Sequence, residues 1–171
     1  MNRIQIRNIY RVIISAVIFS VLLTCSALAA GKEKITVKDK IVSDLSSEET
    51  AISREYGNPV FQCTDPASSL TEAEYPDMAF LFSEDKKTKS IRSTVSRIFD
   101  MKYNSCSVNG FADKLGAKLT DRYVYEGVSD DSFGHIGKTI AVFEDSDYRY
   151  LVELKNGEID GNSMARIETK Q

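Results

Sequence analysis

The longest apolar run of the chain, Val12 to Leu23, is broken only by Ser15 and Ser20. It follows a start that carries Arg3, Arg7 and Arg11 and no acid, and it ends in the small residues Ala27-Leu28-Ala29-Ala30. A basic lead, a short apolar stretch and an A-x-A site predict a secretory signal peptide over residues 1–29. A helix crossing a bilayer needs about 20 apolar residues, more than this run supplies. An uncleaved anchor is the alternative reading. Residues 30–171 are then one exported domain, long enough to bury a core.

Beyond the leader the apolar positions come in short bursts. Ile35, Val37 and Ile41 alternate with Thr36, Lys38 and Lys40 and predict a half-buried strand, weakened at Asp39. Ser46-Ser47-Glu48-Glu49 has the form of a capping box, with Ser46 accepting from the amide three residues on and Glu49 reaching back. With Ile52 and Tyr56 on one side and Gly57 and Pro59 as terminators, it predicts a helix over 47–56. Val60–Cys63 reads as a short strand, residues 64–77 as a long polar loop, and Met78–Phe82 as a strand. Residues 88–102 carry two signals. Ile91, Val95, Ile98 and Phe99 have helical spacing, whereas the Ser, Thr, Val and Ile content suits a strand. The strand is favoured for 88–95, after a hairpin-like turn. Ser107–Leu115 predicts a second short helix ended by Gly116. Arg122–Tyr125, Thr139–Phe143 and Tyr148–Leu154 predict strands around an acidic, glycine-bearing loop at 127–137. Asn156-Gly157 signals a type I′ hairpin turn. From Asn162 the chain is expected to fray, with Met164 and Ile167 able to pair only at an edge.

Charge narrows the function. Removing the leader takes away three arginines and no acid, so 19 basic residues face 25 acidic ones. Such a surface lacks the basic patch that tracks a phosphate backbone, which argues against nucleic-acid binding. Cysteine use follows the compartment. Cys63 and Cys106 remain after cleavage, and in an oxidising compartment an even pair is expected to form a disulfide. Closing the loop between them would contribute about 3 to 4 kcal/mol on the chain-entropy model. Unpaired buried thiols are the other reading. Leu22-Leu23-Thr24-Cys25 resembles the lipobox of bacterial lipoproteins, with Thr24 where a smaller residue is usual. That makes Cys25 a candidate lipidation site and lipid anchoring a competing fate.

The two halves echo each other at an offset of about 59 residues. Ile52-x-x-x-Tyr56-Gly57 answers Phe111-x-x-x-Leu115-Gly116, and Phe80-Leu81-Phe82-Ser83-Glu84-Asp85 answers Ala141-Val142-Phe143-Glu144-Asp145 with a one-residue slip between the two strings. The fold expected is α+β: an antiparallel sheet with short helices packed on one face, built as two tandem helix–strand–strand repeats. In Tyr56-Gly57-Asn58-Pro59, Leu115-Gly116 and Asn156-Gly157-Glu158-Ile159 the chain resembles the SmpA/OmlA and β-lactamase-inhibitor-protein type of periplasmic module, in outline over residues 45–160. It lacks the Gly-Met lead common there. The resemblance implies a non-enzymatic protein that binds other proteins in the cell envelope.

Catalytic signals are few. His135 is the only histidine, which excludes a histidine dyad or a multi-histidine zinc site within one chain. No triad spacing and no phosphate-binding glycine loop is present. Asp130-Asp131 and Glu144-Asp145-x-Asp147 lack the ligand spacing of a calcium loop and read as solvated turns. Tyr123, Tyr125, Tyr148 and Tyr150 would line one face of a sheet, either as ordinary cross-strand packing or as a protein-binding face. The expectation is an exported protein-binding domain, periplasmic or secreted, with a protein partner and no cofactor or metal. Its alternatives are an envelope lipoprotein anchored through Cys25, in the outer membrane, and a carboxylate-dependent cell-wall or carbohydrate hydrolase.

Overall fold

The computed structural model describes residues 33–102, 104–126 and 135–170. Predicted Cys25, the leader and the Asp130-Asp131 cluster lie outside them. The fold is α+β, built on an eight-stranded antiparallel sheet with four short helices.

The first expected strand is mostly a helix. Only Thr36–Val37 (β1) is extended, paired with Phe99–Asp100 (β6). Asp39–Leu45 (α1) follows, because Ile41, Asp44 and Leu45 fall on one helical face and are buried. The capping box does not form. The Ser46 hydroxyl donates to the Val42 carbonyl at 3.3 Å and the Ser47 hydroxyl to the Ser43 carbonyl at 2.9 Å, so both serines finish α1. The next helix, Glu49–Tyr56 (α2), starts at Glu48 without a side-chain cap. Its Glu49 amide donates instead to the Lys86 carbonyl in the turn of a neighbouring hairpin. Gly57, with φ of 83°, ends it in a conformation that disfavours a side chain.

Four strands come next: Phe61–Thr64 (β2), Thr71–Glu74 (β3), Ala79–Phe82 (β4) and Thr88–Thr94 (β5). The strand β3 occupies part of the expected long loop. Its apolar signal is weak because Thr71 and Ala73 are small and Glu72 and Glu74 lie between them. Residues 88–102 contain both predicted structures in succession: β5, one helical turn at Val95–Ile98 (α3), then β6.

The second half repeats the plan. Ser105–Ser107 (β7) leads to Val108–Leu115 (α4). Ser107 caps α4 by accepting from the Gly110 amide at 3.1 Å, and Gly116 ends it at φ 74°. Lys118–Val124 (β8), Thr139–Glu144 (β9) and Tyr148–Glu153 (β10) form a meander. Asn156 and Gly157, with φ of 53° and 82°, make the expected tight turn. Glu158–Asp160 (β11) then leaves to pair with β7. Met164–Thr169 (β12), expected to fray or hold an edge, is a central strand with Ala165, Arg166 and Ile167 buried.

The sheet runs β2-β3-β4-β5-β12-β10-β9-β8. Two consecutive four-strand runs therefore meet at β5 and β12, which pair about Arg92 and Arg166. The helical echo holds, since α2 and α4 each precede one run. The strand echo shifts: counting outward from the centre, β4 corresponds to β10, and β9 to β3.

The registers place Ala73, Phe80, Ile91, Ile167, Tyr150 and Phe143 in one row across the sheet. That row meets Ile41, Leu45 and Ile52 from α1 and α2, Val95 and Ile98 from α3, and Phe111 from α4 in one continuous core. The helices thus cover one face of the sheet.

Candidate functional site: the sheet face away from the helices

Strands alternate their side chains, so the residues between the core positions project from the other face. That face carries charges on both halves of the sheet. Arg92 on β5 lies across from Ala79 and from Arg166, and its guanidinium donates to Glu72 at 2.9 Å and Glu74 at 2.7 Å on β3. Arg166 pairs with Glu168 on its own strand. Glu168 also meets Arg149 at 3.6 Å, and Glu144 meets Lys170 at 2.9 Å. Arginines and carboxylates are therefore interleaved over β3, β5, β12, β10 and β9, with Arg92 and Arg166 a like-charged pair. Two arginines facing each other across a strand pair repel, and the surrounding carboxylates offset that.

A groove of about 510 Å³ opens on this face. Its floor holds Ala79, Leu81 and Ser90; Arg92 and Arg166 stand on one side, and the β2–β3 turn around Ser68 and Leu70 on the other. Small Ala79 leaves the space. The corresponding position in the second half is Leu151, and there the face is filled: Ile140, Val142 and Leu151 are buried, with Tyr125 beside them and Tyr123 and Met164 packed against them. The sequence pattern does not single out Glu72, Glu74, Arg92 and Arg166. Their signal was a charge at alternate positions in T-E-A-E, S-I-R-S and A-R-I-E, each of which looks like solvent-facing polarity when read alone.

The four tyrosines do not share a face. Tyr123 and Tyr125 belong to the away-facing cluster. Tyr150 is 1% exposed inside the main core, and Tyr148 packs against the same core. The break comes from the hairpin between β9 and β10, which sets the parity of Tyr148 and Tyr150 separately from that of β8. The Tyr150 hydroxyl donates to Asp145 at 2.5 Å. Burial and that bond push its pKa above the ordinary tyrosine value. Asp145 also accepts from the amides of Asp147 and Tyr148, both at 2.8 Å. Burial opposes its charge, and these donors outweigh it, lowering its pKa. The acidic cluster at 144–147 is thus a hairpin turn tied by its own hydrogen bonds.

The expected disulfide is not formed; both cysteines are free. Cys63 is exposed on β2 and lines the groove on the away-facing side. Cys106 sits on β7, half-buried against the helix-side core, so the sheet lies between them. Burial raises the Cys106 pKa. His135 is exposed, as expected, yet its Nδ1 lies 2.9 Å from Oε2 of the buried Glu153 on β10, and its amide donates to the same oxygen at 3.2 Å. Among the described residues no group of three or more His, Cys, Asp or Glu side chains is placed to hold a metal ion. No helix of the described residues is long and apolar enough to cross a membrane.

In comparison with known proteins, the chain matches no protein-family model, no curated protein and no solved structure.

Proposed function

We propose that this chain is an exported, non-enzymatic protein-binding domain that takes its partner on the sheet face away from the helices. The observation that carries the reading is the asymmetry of that face. Its second half is filled by Ile140, Val142 and Leu151, while its first half holds an open groove over Ala79 and Leu81 with Arg92 and Arg166 on one side. Arginine and aromatic side chains are enriched in protein–protein interfaces relative to the rest of the surface. Arg92 stands in the groove, and Phe61, 54% exposed on β2, lies in the same row.

Export rests on the leader expected at 1–29, and the second of the chain's two compact units begins at Lys34, a few residues past the expected cleavage site. The resemblance to envelope modules of the SmpA/OmlA and β-lactamase-inhibitor type favours the same class. Anchoring through Cys25 would keep the binding face and change only the location.

Photo-crosslinking in a bacterial envelope tests this. A photoreactive amino acid at Leu81 is expected to capture one discrete protein other than a second copy of this chain. The same group on the helix side, at Arg54 or Lys114, is expected to capture none. Equal capture from both sides, or none from Leu81, refutes the reading.

A further inference from the structure

The sheet has two ends, and the chain treats them differently. At one end, β8 carries Lys118, Asp121 and Arg122, and a bulge between Leu119 and Asp121 bends its pairing with β9. Charges and bulges are the devices by which natural sheets protect an edge from another strand. At the other end, β2 has neither. Phe61, Gln62, Cys63 and Thr64 are uncharged and exposed, their register with β3 is regular, and no strand lies beside the outer edge among the described residues. Val60 and Phe61, 70% and 54% exposed, are two of the four exposed large apolar side chains of the described residues, and they are consecutive at this edge. Pro59 precedes the strand and leaves its four residues able to pair.

We infer that two copies of this chain associate through β2, joining their sheets edge to edge about a two-fold axis. The occupant is a second copy because β2 is complementary to itself. An antiparallel pair of β2 strands brings no like charges together, whereas two β8 strands fully paired about Asp121 would set the two Asp121 carboxylates opposite each other. It supplies each strand's outward N–H and C=O groups with partners, and it sets Phe61 of each copy against the uncharged strand of the other. Such an interface is isologous and closes at two. It adjoins the groove through Cys63, and its readout, the oligomeric state of the purified chain, is independent of the partner capture proposed above.

Sedimentation of the full mature chain under reducing conditions, over about 1 μM to 1 mM, covers the span in which small interfaces associate. A monomer–dimer equilibrium is expected. Phe61→Lys sets a charge in the paired edge and is expected to weaken the dimer by about tenfold or more. Thr64→Lys does the same from the other end of β2, and Val124→Lys on β8 leaves association unchanged. Circular dichroism checks that each variant is folded. A wild-type chain that stays monomeric throughout overturns the inference. So does a dimer that Val124→Lys weakens as much as the β2 variants do.

Discussion

Removing a single hydroxyl, in Tyr56→Phe, tests how α1 and α2 are held together. Asp44 is 1% exposed and lies in the last turn of α1, where the helix carbonyls disfavour a carboxylate. It is held there by Lys40, one turn earlier, and by the Tyr56 hydroxyl at 2.6 Å. Lys40 also reaches Glu55 at 2.7 Å; burial opposes its charge, and the bonds to Asp44, Glu55 and Tyr56 outweigh that and raise its pKa. Phenylalanine keeps the ring contacts of position 56, 5.4 Å from Phe80 and 5.7 Å from Tyr75 between centroids, and removes one donor from a buried charge. A hydrogen bond to a charged group contributes about 2 kcal/mol. In a unit of this size that is a fall in Tm of about 8 °C. Tyr75→Phe is the matched control, because the buried Tyr75 hydroxyl has no hydrogen-bond partner among the described residues; its loss is expected to be neutral or slightly stabilising.

The same pair predicts a pH window. Burial and the bond to Asp44 raise the Tyr56 pKa from near 10 to about 12. A folded value above the unfolded one means that the contribution is complete below pH 10 and is lost as the pH climbs through about 12. Urea denaturation followed by circular dichroism should show a constant gap between wild type and Tyr56→Phe up to pH 10, narrowing above it. If Tyr56→Phe lies within about 0.5 kcal/mol of wild type at pH 7, the Asp44 network is not what joins the helices.

Further consequences are simpler to measure. Ser107→Ala removes a formed helix cap and is expected to cost about 1 kcal/mol, whereas Ser46→Ala, at a capping box that does not form, should cost less than half of that in the same denaturation assay. Gly157→Ala forces a side chain into φ 82° and should destabilise by about 1 kcal/mol or more. Thiol titration of the native protein is expected to show one fast group, exposed Cys63, and one slow group, half-buried Cys106 with its raised pKa. Two thiols that become reactive only after reduction would restore the disulfide.

What the sequence made legible was local. The helix α4 was readable because its cap, its buried Phe111 and its terminal Gly116 all lie within ten residues and agree. The hairpin at Asn156-Gly157 was readable for the same reason. The central place of β12 was not. M-A-R-I-E-T looks like an edge because Arg166 and Glu168 break its apolar pattern, and only their pairing with each other and with Arg149 makes them compatible with neighbours on both sides. The strand β3 was hidden likewise, since Glu72 and Glu74 have their reason in Arg92, 18 to 20 residues away. The serines at 46 and 47 misled because one motif serves either the end of one helix or the start of the next. The choice was made by the Lys86 carbonyl, which satisfies the first amide of α2.

The central place of β12 has a consequence for how the molecule is assembled in time. The strand latest in sequence joins the two halves, so until Met164–Thr169 is available β5 and β10 each lack a neighbour and the core rows are cut in the middle. The partner strands β5 and β12 are some seventy residues apart, and closing such a loop precedes any gain from pairing. A nascent chain therefore stays incompletely folded until β12 has been delivered. A premature stop at residue 163 would leave two separate half-sheets with exposed Ile91 and Tyr150 edges, a target for proteases rather than a shortened protein.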